Sequence, residues 1–276
     1  MSDYTPSRSK LVEALQEAAG QSPRRIGFGI PEGRRLRRRV LVVALPEANS
    51  DSAEAARSAG ADALLIQASI PAAARKELGR VVSSAGDLPC GLRIRGDVAS
   101  AAVSDLISEG LDFVLASVDE APPSFLALSV GKGLAVSHSL PFALIRGLSE
   151  LRLDFVVLEP ATQEERPARL TVRDMLALHL LAQGIRRPAL LSSVYLAGPD
   201  EVAVLADLGI NSLLLDAGQA GAPAKSLGSL VEQYRKALDA VESLPRGRRE
   251  SDVLPVLPRS QPRVAPEREL EEPDEE

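Results

Sequence analysis

Tryptophan is absent from the chain, and aromatic residues make up only 3% of its 276 positions. A core without large rings has to be aliphatic, and base-stacking platforms or aromatic cages lack their material. The single cysteine, Cys90, excludes a disulfide framework and a cysteine-based zinc site, and two histidines leave little for a histidine-rich metal centre. Lysine is scarce as well: Lys10, Lys76, Lys132, Lys225 and Lys236 are all there are. No apolar run approaches the length of a membrane span, and the opening MSDYTPSRSK lacks the apolar core of a signal peptide. A soluble, cytoplasmic protein without a membrane partner is expected. The net charge of -6 and a pI near 5.2 argue against nucleic acid as a partner.

Apolar residues are 45% of the chain and charged residues 25%, enough to bury a full core in one large domain or two small ones. Short apolar runs alternate with amphipathic stretches. The strand candidates are Val40–Glu47, Ala63–Ala68, Cys90–Gly96, Phe113–Val118, Gly133–Ser139, Phe155–Glu159, Ala189–Tyr195 and Ser212–Ala217. Each is followed by a helical pattern, the last near Leu227–Val241, and a further helix, Ser9–Ala19, precedes the first strand. Near-continuous apolar strands joined by helices pair in parallel with both faces covered. Eight such units predict a single (β/α)8 TIM barrel. The competing doubly wound sheet has fewer strands and a Gly-rich first turn, which does not follow Glu47.

Three regions are expected. Residues 1–39 would form the helix and a basic hairpin, residues 40–245 the barrel, and residues 246–276, rich in Pro and charge, a disordered tail. The hairpin gathers Arg24, Arg25, Arg34, Arg35, Arg37, Arg38 and Arg39 around Gly27–Gly33. It reads either as a docking element for an acidic partner, a nucleic-acid backbone or a phosphorylated molecule, or as a solvated segment screened by the acidic tail.

A repeat underlies the barrel. AGADALLIQ (59–67), EGLDFVLAS (109–117), LRLDFVVLE (151–159) and LGINSLLLD (208–216) each carry Asp or Asn at the fourth position and a polar residue at the ninth. They open strands two, four, six and eight, in phase with the layers that alternate barrel strands fill. Side chains alternate along a strand, so positions five, seven and nine share one face. Because the opposite face is wholly apolar, the face ending in Gln67, Ser117, Glu159 and Asp216 should point inward at the carboxyl ends, where barrel enzymes place their chemistry.

The odd strands add Glu47, Arg95, His138 and Tyr195 near the same mouth, with Asp97 and Asp119 in the loops. Carboxylates, one imidazole, one guanidinium and one phenol around an apolar well suit acid–base chemistry. Glu159, Asp216 and His138 are the expected catalytic set, and Arg95 the clamp for an anionic substrate. Glu47 or His138 could instead join the two carboxylates around a divalent metal. His179, inside DMLALHLLAQG, reads as a structural helix residue. No lysine falls at a strand's carboxyl end, which excludes Schiff-base chemistry unless Lys132 is so placed. Cys90 begins its strand, at the wrong end for a nucleophile, and no serine sits in an elbow motif.

The segment LAGPDEVAVLADLGINSLLLDAG (196–218) resembles the last βα unit of the phosphate-binding barrels, the group of indole-glycerol-phosphate synthase and the tryptophan synthase alpha chain. Pro199, Asp200, Glu201 and Val202 match the helix start, and Gly209, Ile210 and Asn211 the turn before the final strand. SAGADALLIQA (58–68) is similar to the second unit of many flavin- and phosphate-binding barrels. The resemblance implies the barrel fold. In that group, glycines after strands seven and eight expose backbone N–H groups to phosphate. Here Ser193-Val194-Tyr195 follows strand seven, and Asp216 precedes Ala217-Gly218. A carboxylate there repels a phosphate dianion, so only a reduced grip, through Gly198 or Gly218, remains. Flavin mononucleotide (FMN) is therefore a third reading behind two others. The first is a lyase- or isomerase-type enzyme for a small polar or anionic metabolite, with Gln67, Ser117, Glu47 and Tyr195 also lining its site. The second is a degenerate, non-catalytic barrel acting as a scaffold or accessory subunit on a protein partner. A homo-oligomer is compatible with either.

Overall fold

The computed structural model describes residues 9–20, 39–67, 74–95, 100–160, 170–218 and 224–243. The expected hairpin around Gly27–Gly33, the tail from Arg246, and Asp97 lie outside the described residues. Helix α1 (Lys10–Ala18) precedes eight strands: β1 (Val40–Leu45), β2 (Ala63–Ile66), β3 (Cys90–Ile94), β4 (Phe113–Ser117), β5 (Gly131–Val136), β6 (Phe155–Leu158), β7 (Ala189–Ser192) and β8 (Ser212–Asp216). Between and after them run α2 (Ser50–Ser58), α3 (Ala74–Ala85), α4 (Ser100–Ser108), α5 (Phe142–Leu148), α6 (Val172–Gly184), α7 (Val204–Leu208) and α8 (Ala224–Ser243). The strands close in sequence order into one parallel barrel, with β1 pairing both β2 and β8. The chain is a TIM barrel.

Alternation along each strand separates two cores. Leu41, Val43, Leu64, Ile66, Leu92, Val114, Leu134, Val156, Leu191 and Leu213 face the helices. Val42, Ala44, Leu65, Leu115, Ala135, Val157, Leu190 and Leu214 fill the interior. Two phenylalanines are the interior's bulk: Phe113 and Phe155 meet edge to face, with ring centroids 6.0 Å apart. Gly91 and Gly133 on the neighbouring strands make room for them. A Cβ at Gly91 would lie 2.1 Å from the Phe113 ring, and one at Gly133 2.1 Å from the Phe155 ring. Large side chains on even strands thus interlock with absent ones on odd strands.

The amino-terminal end of the barrel is closed by α1, whose Leu11, Val12, Leu15 and Ala18 join the interior core. Ser9 caps the helix, and Asp112 holds it from β4: its carboxylate accepts from Ser9 Oγ at 2.7 Å, Lys10 N at 2.8 Å and Leu11 N at 3.0 Å. The fourth position of the repeat is therefore a basal fastening. Asp62 accepts from Leu41 N and Asp154 from Lys132 N, both at 2.9 Å, satisfying backbone donors at the strand starts. Arg235 of α8 reaches the same level, pairing with Asp62 at 3.0 Å. Arg39, the last of the basic cluster, is buried and donates to Ile210 O, so this member serves the fold.

Strand ends differ from expectation. β7 stops at Ser192 because its hydroxyl caps Val194 N and turns the chain into a short 3-10 segment, Ser193–Tyr195. Likewise β1 stops at Leu45, and β5 runs Gly131–Val136 rather than to Ser139. On the outside, α6 leaves Val172, Leu176 and Leu180 exposed beside Leu144 of α5, and its His179 is half-buried. Among the described residues no helix is long and apolar enough to cross a membrane.

Candidate functional site

Gln67, Ser117, Glu159 and Asp216 continue the inward alternation of β2, β4, β6 and β8, two residues beyond Leu65, Leu115, Val157 and Leu214. Their partners differ. Gln67 Nε2 donates to Asp216 Oδ2 at 3.1 Å, and Asp216 N donates to Ser193 Oγ at 3.0 Å. Ser117 Oγ accepts from Asp119 N at 3.3 Å and so orders the loop after β4. Glu159 meets neither Asp216 nor Arg95. Its carboxylate is gripped by both terminal nitrogens of Arg93, through Nη1–Oε2 at 3.0 Å and a second, shorter contact.

Arg93 is the residue that sequence reasoning missed. It lies on β3, three strands from β6, so the pair crosses the barrel. The signal was present, because Gly91, Arg93 and Arg95 share the face opposite Cys90, Leu92 and Ile94. Arg93, not the exposed Arg95, reaches the ring. Burial alone would lower the Arg93 pKa. The hydrogen bond and charge of Glu159, with the charges of Asp216 and Glu120, outweigh burial and hold it above its ordinary value. Both side chains keep only 14% and 15% exposure, so the pair is nearly desolvated.

Beyond the strand ends His138 Nδ1 and Tyr195 Oη are 2.9 Å apart with their rings edge to face, Tyr195 belonging to the helix-facing core. Tyr195 is fully buried, while His138 keeps partial access. Glu47 is exposed in the turn after β1 and does not join this cluster. Gly198 precedes the 3-10 segment Pro199–Ala203 with an extended backbone. One backbone donor of this loop is already answered: Ala197 N donates to Glu201 Oε2 at 2.8 Å. Gly218 is exposed, beside Pro46. With Glu201 over one loop and Asp216 at the end of β8, this side of the mouth presents carboxylates where a phosphate grip needs bare N–H groups.

The donor set also fits a divalent metal poorly. Glu159 is held by Arg93 and Asp216 by Gln67, and among the described residues no three His, Cys, Asp or Glu side chains could hold a metal ion. Lys132 lies near the start of β5 on the helix-facing side, where Nζ donates to Leu128 O at 2.7 Å and burial lowers its pKa. Schiff-base chemistry at the mouth is closed to it. Burial, reinforced by Asp112, pushes the Cys90 thiol up to about 12, so it is no nucleophile.

No family model and no curated protein matches the chain. Solved structures do. Tryptophan synthase of Mycobacterium tuberculosis aligns over 85% of this chain and 99% of its own at 12% identity, with a TM-score of 0.62. The tryptophan synthase alpha subunit of Legionella pneumophila aligns over 84% and 99% at 11% identity, with a TM-score of 0.59. Thiamine phosphate pyrophosphorylase of Pyrococcus furiosus aligns over 74% and 96% at 15% identity, with a TM-score of 0.56. At such identities the likeness is one of fold: this chain has the barrel that those enzymes have.

Proposed function

We propose that the barrel mouth is a small-molecule site working by carboxylate and imidazole acid–base chemistry, with Arg93, rather than Arg95, positioning Glu159 at it. Glu159 and Asp216 are the reacting carboxylates, and His138, braced by Tyr195, carries the proton between ligand and solvent. The observation that supports this most is the Arg93–Glu159 pair, set across an otherwise apolar interior. A buried ion pair is seldom more stabilising than apolar side chains of the same volume, so the fold alone gives little reason to keep it. Three carboxylates act on the one guanidinium. That balance favours a polar ligand that is neutral or cationic near the carboxylates over a phosphate dianion or FMN.

Thermal melts test the reading. Arg93→Met should cost about 3 kcal/mol, because Glu159 is left buried and unpaired. The double variant Arg93→Met/Glu159→Leu should return to within about 1 kcal/mol of wild type. A library of small amines, amino acids, hydroxy acids and sugars should contain a compound that raises the melting temperature of the wild type and not of the double variant. Failure of the double variant to recover, with no compound acting on the wild type, would make the pair structural. That outcome belongs to the second reading, a non-catalytic barrel serving as an accessory subunit. Its support is the way the mouth's polar groups answer one another, Glu201 on Ala197 N above all.

A further inference from the structure

The opposite end of the barrel holds a concave site. A cavity of about 310 Å³ opens between the end of α1, the α6–β7 turn and the α7–β8 turn. Its charged lining is of one sign: Arg186 and Arg187 face it, and no described lining residue is acidic. The Nε of Arg187 is buried without a hydrogen-bond partner, while its Nη2 leans on Leu151 O at 3.4 Å. Arg186 is exposed and makes no hydrogen bond or ion pair with a described residue. The carboxamide of Asn211 adds neutral donors and acceptors, and Leu15 and Ile185 add apolar wall.

We propose that this basal cavity binds a small molecule ending in an oxyanion, a phosphate or carboxylate, with its apolar body against Leu15 and Ile185. Two guanidiniums with no competing carboxylate suit planar oxyanions, which take paired N–H donors. A buried N–H without an acceptor is a standing cost that an oxyanion would remove. The volume lies at the small end of ligand sites, which limits the occupant to about one ring and its acid group. The site contrasts with the mouth, where both terminal nitrogens of Arg93 are already paired with Glu159. A ligand here would tie α1 to both turns and stabilise the whole barrel by linkage.

Titration calorimetry on the full chain, at constant ionic strength held with chloride, tests this with phenyl phosphate and benzoate as probes. Saturable binding of either supports the proposal, and the tighter of the two identifies the acid group. Arg187→Met should weaken it at least tenfold. Because that variant also loses the contact to Leu151, the deciding variant is the exposed Arg186→Met, which should fold normally and weaken binding severalfold. Arg57→Met on α2 controls for general charge and should bind as wild type does. Absence of saturable binding by both probes, or equal affinity in wild type and Arg186→Met, overturns the proposal. So does an equal loss in Arg57→Met.

Discussion

The two ends of this barrel are built from the same strands and the same repeat, yet they solve opposite problems. At the base, the aspartates of three modules answer backbone donors, and apolar side chains of α1 complete the interior. Toward the mouth, polar groups answer one another: Arg93 with the ninth-position Glu159, Gln67 with Asp216, and, outside the repeat, His138 with Tyr195. Carboxylates at the base hold the fold together. Those at the mouth are paired with side chains from other strands. The difference separates carboxylates that answer the backbone from carboxylates that answer side chains within one architecture.

Steric exchange in the interior below the mouth should break the contrast most sharply. Gly133→Ala puts a methyl group within 2.1 Å of the Phe155 ring. It is expected to cost about 3 kcal/mol in denaturant melts, and Phe155→Leu in the same chain should recover much of it. Next in size is Asp112→Ala, which strips three donors at the start of α1 of their acceptor. A loss of about 2 kcal/mol is expected. Hydrogen exchange should show α1 opening before the strands.

The smallest effect lies on the mouth side. Backbone and side-chain hydrogen bonds from Thr171, in the capping box that starts α6, hold the Asp174 carboxyl below its ordinary value. A depressed carboxyl adds stability above its unfolded pKa, near 4, and loses it as the pH falls through the lower folded value. Asp174→Asn should therefore cost about 0.5 kcal/mol at neutral pH, the exposed carboxyl being screened by solvent, and the gap to wild type should close in acid. A gap constant down to pH 2 would show that the charge contributes nothing.

Much of this was legible because it is periodic. A two-residue alternation separates the interior of the barrel from its helix-facing side, and a repeat at alternate strands locates the ring, whatever contacts the chain makes. What stayed hidden is pairwise and distant. Arg93 and Glu159 lie 66 residues apart, and no local pattern says which arginine of Leu92-Arg93-Ile94-Arg95 reaches across. The strand ends were missed for a local reason: Ser192 caps its own turn, and Tyr195 enters the core from a 3-10 segment rather than a strand. Another regularity sat in plain view. The second position of three repeats is glycine, at 60, 110 and 209, with φ of 99°, 102° and 73°. Each ends a helix in the left-handed region. The copy at β6 has Arg152 there and, like every described non-glycine residue, no positive φ.

Helix α1 carries a consequence for how the molecule is made. Its cap, Ser9, finds Asp112 only 103 residues later in the chain. At about 5–20 residues per second, a ribosome keeps the first helix waiting on the order of 5–20 s before its anchor is even synthesised. During that interval Leu11, Val12 and Leu15 have no barrel to enter. The apolar face that seals the finished molecule is therefore left uncovered on the nascent one until the barrel beneath it has been made.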